Sequence, residues 1–270
     1  MNKKRLIYAV MSVVMFISGG ILLFYFFWAN GFFAPPKSVP QETYSEFTYP
    51  SMPDEIEPSA TGNGNNAGKE TSKSGEGLVN PVNFEELQKA NPDIIGWLYM
   101  TSPYVSQPVL MSKKSDDYYL YRDATGKNNK DGAFYIEKSY NKPSFDDPCT
   151  IIYGHRRSDG AMFGNLQATL DEIDINADPQ YIVIYLPNST KIYHIIATNC
   201  HNSGHILHYN NFGKKSEFDS FFNKIYSSKG SGVQLVKDDR PEFGDKILII
   251  STCLRTDRTK RYLVIAKELT

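Results

Sequence analysis

Two short apolar runs near the C-terminus set the strongest limit on how this chain folds. Residues 247–253 read ILIISTC and residues 261–266 read RYLVIA. Each is too short for a buried helix and rich in β-branched or aromatic side chains, so each reads as a buried strand. A polar, basic connection, residues 254–260, joins them. Cys253 therefore closes one strand and Arg261 opens the next. Where two such strands are neighbours, a thiol and a guanidinium sit on rigid backbone with a loop between them, a sound place to build a site.

A cysteine nucleophile needs a base or a lowered pKa. The segment TIIYGHRRSDGAMFGNL, residues 150–166, offers the best partner, His155. It follows another strand-like run, residues 149–154, and is flanked by polar residues. Side chains alternate along a strand, so Ser251 should share a face with Cys253 and Tyr153 a face with His155. Thr252 should turn the other way and pack or bond inward. Ser251, Thr252 and Tyr153 are the candidate substrate-binding residues.

The remaining pattern is that of a β-rich domain. Asn83 and Glu86 form an N-capping pattern for a short helix over 84–90. Residues 94–100 read as a strand with Trp97 in the core. Residues 105–110 contain Pro108 and read as an edge strand or a bend. A helical turn over 115–121 is expected to pack its tyrosines inward, and 133–137 to form a short strand. Met162, Phe163, Leu166 and Leu170 have helical spacing. Residues 181–186 and 191–200 read as a hairpin around residues 187–190. Ser216 is placed to cap a helix whose apolar face is Phe218, Phe221, Phe222 and Ile225. Many short strands with few helices suggest a closed or nearly closed β-barrel with helical insertions.

With 270 residues, 41% of them hydrophobic, the chain is long enough for one sizeable core with appendages. A net charge of −1 argues against a nucleic-acid partner. Lys3, Lys4 and Arg5 precede an uninterrupted, uncharged apolar stretch, residues 6–28, long enough to span a bilayer. It ends in Phe26, Phe27 and Trp28, with no clear small-residue cleavage site. Residues 1–30 are therefore expected to be a cytoplasmic tip and a single-pass signal anchor, with the rest of the chain outside the cell. Residues 31–77, rich in Pro, Ser, Gly and Asn, read as a flexible extracellular linker. The folded domain is expected over 78–270.

Taken together, these motifs resemble the sortases, and class B sortases most closely. The resemblance is carried by Tyr153-Gly154-His155, by Gly160-Ala161-Met162-Phe163 with Leu166, by Ser251-Thr252-Cys253 and by Arg261 before the last strand. It extends to VNFEELQKANPDIIGW (82–97), Pro108-Val109 and Tyr118-Tyr119-Leu120, and so spans about residues 80–270. Ile249-Ile250 stand where the family usually has Thr-Leu. The resemblance implies an eight-stranded barrel and a cysteine transpeptidase with Cys253 as nucleophile, His155 as proton donor and acceptor, and Arg261 as oxyanion or backbone stabiliser. Arg255 and Arg258 are rivals for that last role. The implied substrate is the C-terminal sorting motif, of LPxTG or NPxTN type, of a secreted protein. The acyl group would pass to an amine of a peptidoglycan precursor or of a pilin-like subunit at a Gram-positive cell surface. No cofactor is required by this chemistry.

Two other readings stand beside this one. A different cell-wall cysteine enzyme, an L,D-transpeptidase or a papain-like endopeptidase, is disfavoured by the order of His155 and Cys253 and by Thr252 before the cysteine. A non-catalytic surface binding module is disfavoured by the presence of all three reacting residue types. His201, His205 and His208 lack a supporting carboxylate pattern, so they read as a polar loop near a peptide groove rather than a metal site. Cys149 and Cys200 are either a disulfide or two apolar thiols.

Overall fold

The computed structural model describes residues 80–269. The expected anchor (1–30) and linker (31–77) lie outside the described residues. Among the described residues no helix is long and apolar enough to cross a membrane.

The chain opens with α1 (Phe84–Ala90), capped as its sequence demands: the Glu86 amide donates to Asn83 Oδ1 at 3.2 Å. Strands β1 (Ile94–Thr101) and β2 (Tyr104–Leu110) follow as an antiparallel pair. Next come β3 (Phe134–Tyr135), β4 (Cys149–Tyr153), α2 (Leu166–Glu172), β5 (Tyr181–Leu186) and β6 (Ser189–Asn202). The short α3 (Ile206–Tyr209) and α4 (Lys215–Ser227) lead to β7 (Gln234–Leu235), β8 (Ile247–Cys253) and β9 (Lys260–Glu268). Eight strands run in the order β5-β1-β2-β3-β4-β8-β9-β6, and the β5–β6 pairing closes them into a barrel. The two-residue β7 is added on the flank of β6.

Strand parity decides what each side chain meets. Leu248, Ile250, Val264, Ala266 and Ile152 belong to the cluster that fills the barrel. Their neighbours Ile247, Ile249, Leu263, Ile265 and Ile151 form an outer cluster with Phe218, Phe221, Phe222 and Ile225 of α4. Both faces of β8 and β9 are therefore covered, and that is why their sequences are continuous apolar runs rather than alternating ones. A third cluster packs Phe84 and Leu87 of α1 against Trp97, Tyr99 and Tyr185. Phe222 is fully buried between α4 and the sheet. Replacing it with alanine is expected to cost about 3–5 kcal/mol, read as a lower denaturant midpoint with an unchanged slope.

Several expected elements are adjusted. Pro108 lies in a barrel strand, opposite Trp97 of β1, yet β3 pairs with β2 only from Val109 onward. The proline thus stands where the second ladder has not begun and its missing N–H is tolerated. The turn at Tyr118–Tyr121 buries Tyr119, while Tyr121 is exposed. The α2 helix begins at Leu166. Met162 precedes it in a left-handed conformation (φ 55°). The hairpin turn is only residues 187–188, because β6 starts at Ser189. Ser216 lies inside α4, whose N-cap is Lys214 with no side-chain cap. Cys149 and Cys200 are free thiols rather than a disulfide.

Candidate active site

Parity also builds the site. Ser251 and Cys253 continue the outward set of Ile247 and Ile249, and Arg261 continues that of Leu263 and Ile265. Past the edge of the apolar cover, this outer face becomes a cleft of about 390 Å³. Tyr153, His155, Ser251, Thr252, Cys253 and Arg261 all border it. Cys253 and Arg261 are direct partners in the β8–β9 ladder, and Arg261 Nη1 stands 3.9 Å from Cys253 Sγ. The same nitrogen donates to the carbonyls of Arg258 and Lys260, both at 3.3 Å, which holds the guanidinium over the sulfur. Arg255 and Arg258 are exposed and border no part of the cleft.

His155 arrives from β4. The Gly154 amide donates to the Ser251 carbonyl at 3.3 Å, extending the parallel β4–β8 pairing one residue past Tyr153. His155 is then closed in from behind, where its carbonyl accepts from the Phe163 amide at 3.1 Å. Its Nε2 lies 2.8 Å from the Leu120 carbonyl. A carbonyl only accepts, so Nε2 carries a hydrogen and the lone pair of the neutral ring is on Nδ1. The exposed Tyr121 ring stands 5.8 Å from the imidazole.

Gly154 is required by packing. A Cβ there would come within 2.5 Å of Phe134 Cδ1 and 2.6 Å of Phe163 Cε2, and those two rings are stacked 4.1 Å apart. Gly154→Ala should cost about 1–3 kcal/mol by overpacking and displace His155. The check is a lowered melting temperature together with a larger fall in kcat than in stability-matched core variants.

Ser251 is buried between Tyr153 of β4 and Leu263 of β9. Thr252 turns inward with Ile250, and its buried hydroxyl makes no hydrogen bond. Tyr153 stacks on Tyr135 with centroids 5.5 Å apart. Burial pushes both phenols far above their ordinary range, so they are neutral hydrogen-bonding groups here.

Behind two residues of the cleft wall, His205 and Tyr153, stands a group that sequence reasoning missed. Glu137 receives a 2.6 Å hydrogen bond from His205 Nε2 and another from the Tyr153 hydroxyl. Burial raises its pKa, against the opposing pull of His205. His205 also caps α3, its Nδ1 accepting from the His208 amide at 3.0 Å. This pair fixes segment 202–206, one wall of the cleft, to the barrel. The polar loop around His205 was visible in the sequence, but nothing in the sequence joined it to Glu137, 68 residues away. Among the described residues no group of three or more His, Cys, Asp or Glu side chains is arranged to hold a metal.

A closed barrel of this strand order, with a cysteine, an arginine and a histidine around one cleft, defines a class of cysteine transpeptidases. A sortase domain model matches residues 111–269, and the chain belongs to the sortase family. Its relatives place it among the class B enzymes. It is 33% identical to sortase B of Listeria monocytogenes over 192 residues, covering 69% of this chain and 73% of that protein. It is 26% identical to sortase B of Staphylococcus aureus over 188 residues, covering 68% and 73% of the two chains. The crystal structure of sortase B from Bacillus anthracis superimposes with a TM-score of 0.58 at 27% identity, covering 69% of this chain and 82% of that one.

Proposed function

We propose that this chain is a membrane-anchored transpeptidase that cleaves a sorting motif of LPxTG or NPxTN type and joins the released acyl group to an amine. The observation that carries the proposal is the placement of Arg261 Nη1 at 3.9 Å from Cys253 Sγ in a cleft that His155 also borders. The guanidinium is a fixed positive charge beside the attacking sulfur. The thiolate attacks the scissile carbonyl, and the guanidinium is placed to stabilise the oxyanion that forms. A guanidinium cannot act as the base, so proton transfer falls to His155. In its charged form it gives the Nδ1 proton to the leaving amine, and in its neutral form it takes one from the incoming amine. The thioester on Cys253 joins the two half-reactions.

Substrate positioning falls to the remaining walls. Ser251 shares the face of Cys253 and lies one residue pair deeper in the cleft, within reach of an extended peptide. Tyr153 and His205, both bonded to Glu137, also border the cleft. Anchoring and an extracellular location rest on the apolar stretch 6–28 and the basic residues before it. The linker would lift the domain off the bilayer.

The test is to incubate the full-length chain with fluorogenic LPxTG- and NPxTN-type peptides and to search for an acyl adduct by mass spectrometry. Turnover of one motif class, with the acyl mass on Cys253, is the expected result. Reaction with neither class and no adduct would remove the sorting-motif reading.

A further inference from the structure

A transpeptidase needs two ligands, a donor peptide and an acceptor amine, and the cleft beside Cys253 accounts for the first. A second cavity, of about 460 Å³, lies among the end of β6, α3 and α4. Asn202, Gly204, His205 and Ile206 border both cavities, so a single wall separates them.

Strand register ties the second cavity to the reacting groups. Cys253 pairs with Arg261, and Arg261 pairs on its other side with His201. Directly opposed residues share a face of a sheet. Cys253, Arg261 and His201 therefore form one row across β8, β9 and β6. With neighbouring strands ~4.8 Å apart, the His201 backbone stands about 10 Å from that of Cys253. His201 borders the second cavity, and along this row Arg261 is the one residue between it and Cys253.

The floor of this cavity holds a buried donor without a partner. Asn199 precedes His201 by two residues on the same face, is 3% exposed and lines the cavity, yet its Nδ2 makes no hydrogen bond. Buried amide groups are rarely left unpaired, and a ligand oxygen is one way to complete this one. Lys224 of α4 adds an exposed ammonium to the same cavity.

We propose that this second cavity binds the acceptor, a peptide bearing a primary amine and a carboxylate. The Asn199 amide turns toward the cavity to donate to a carbonyl oxygen of the acceptor, whose carboxylate lies beside Lys224 and whose amine reaches past Arg261 to the acyl group. The inference rests on the Cys253 thioester reading above. In the step itself, the amine nitrogen bonds to the acyl carbon and the C–S bond breaks. The sulfur leaves as the Cys253 thiolate, and the amine proton passes to His155 Nδ1. An amide and the starting enzyme result, with no other reactant.

The test compares the full-length chain with its Asn199→Leu and Lys224→Gln variants during donor-peptide turnover. Three nucleophiles are used: hydroxylamine, too small to need a binding cavity, triglycine with an α-amine, and Nα-acetyl-lysine with an ε-amine. Each variant should slow transfer to one of the two amino acceptors by roughly threefold to tenfold, the effect of one lost hydrogen bond or charge contact. Hydrolysis and hydroxylamine trapping should stay within about twofold of the parent. The acceptor that loses rate tells an α-amine cross-bridge from a lysine side chain. Unchanged transfer to both acceptors, or a parallel fall with hydroxylamine, would overturn the assignment. Lys224 is exposed, so its variant keeps the test valid if Asn199→Leu fails to fold. Absence of any hydroxylamine product from the parent chain would instead strike down the Cys253 reading, and the acceptor site with it.

Discussion

Cys253→Ala is expected to abolish both peptide cleavage and transfer, with no acyl adduct on any residue. The loss should be on the order of 10⁴-fold or more, because the covalent route disappears with the sulfur. Neither remaining thiol is fitted to replace it. Cys149 is buried in the outer cluster, where burial pushes its thiol well above the ordinary range. Cys200 is also raised by burial, and its thiol donates to the Ser231 carbonyl at 3.4 Å. Both are therefore poor thiolate sources. The Cys253 side chain stands at the end of a strand and is only partly buried, so its removal should change the melting temperature by no more than about 2 °C. Turnover near the parental rate in a folded Cys253→Ala protein would show that the nucleophile lies elsewhere.

Arg261→Ala should lower kcat/KM by about 10²–10³-fold, the usual effect of removing one oxyanion donor. Arg261→Lys should recover little of it. A lysine ammonium is a flexible point charge and cannot make the three contacts that one guanidinium nitrogen makes here, to Cys253 Sγ and to the carbonyls of Arg258 and Lys260. Arg255→Ala and Arg258→Ala are the controls. Both side chains are exposed and away from the cleft, so each variant should stay within about threefold of the parent. An Arg255→Ala effect as large as that of Arg261→Ala would move the oxyanion role to the loop. Thiol alkylation of the Arg261→Ala protein is the companion measurement. Unchanged alkylation with lost turnover marks loss of oxyanion support.

The fold was legible wherever a run of side chains met one environment along its length. Strands β8 and β9 are uniformly apolar because they are covered on both faces, and α4 shows its four buried side chains at helical spacing. The capped start of α1 was equally plain, since Asn83 and Glu86 interact within one turn. Reading failed where distant packing decided the outcome. Met162 looked helical by spacing, but its left-handed backbone ends the loop that positions His155 before α2 begins. Ser216 looked like a cap, and the helix starts one residue before it. Pro108 looked like an edge marker, and it is accommodated because β3 is too short to reach it.

The same division runs through the site. Local covalent order determined that Cys253 ends a strand and Arg261 opens the next, and a period of two placed Ser251 with Cys253 and Thr252 against it. Those relations need no knowledge of the rest of the chain. The resemblance favoured Arg261 over Arg255 and Arg258, and the β8–β9 register adds the contact of its guanidinium with the sulfur. The union of β4 with β8, which brings His155 to the same end of the barrel, spans about a hundred residues and depends on barrel closure. So do the Glu137–His205 pair and the second cavity beneath α4. A sequence encodes periodicity and capping within a few residues, where the interacting groups are also neighbours in the chain. Pairing between distant strands is decided by the joint burial of many side chains, and only the folded barrel contains that sum.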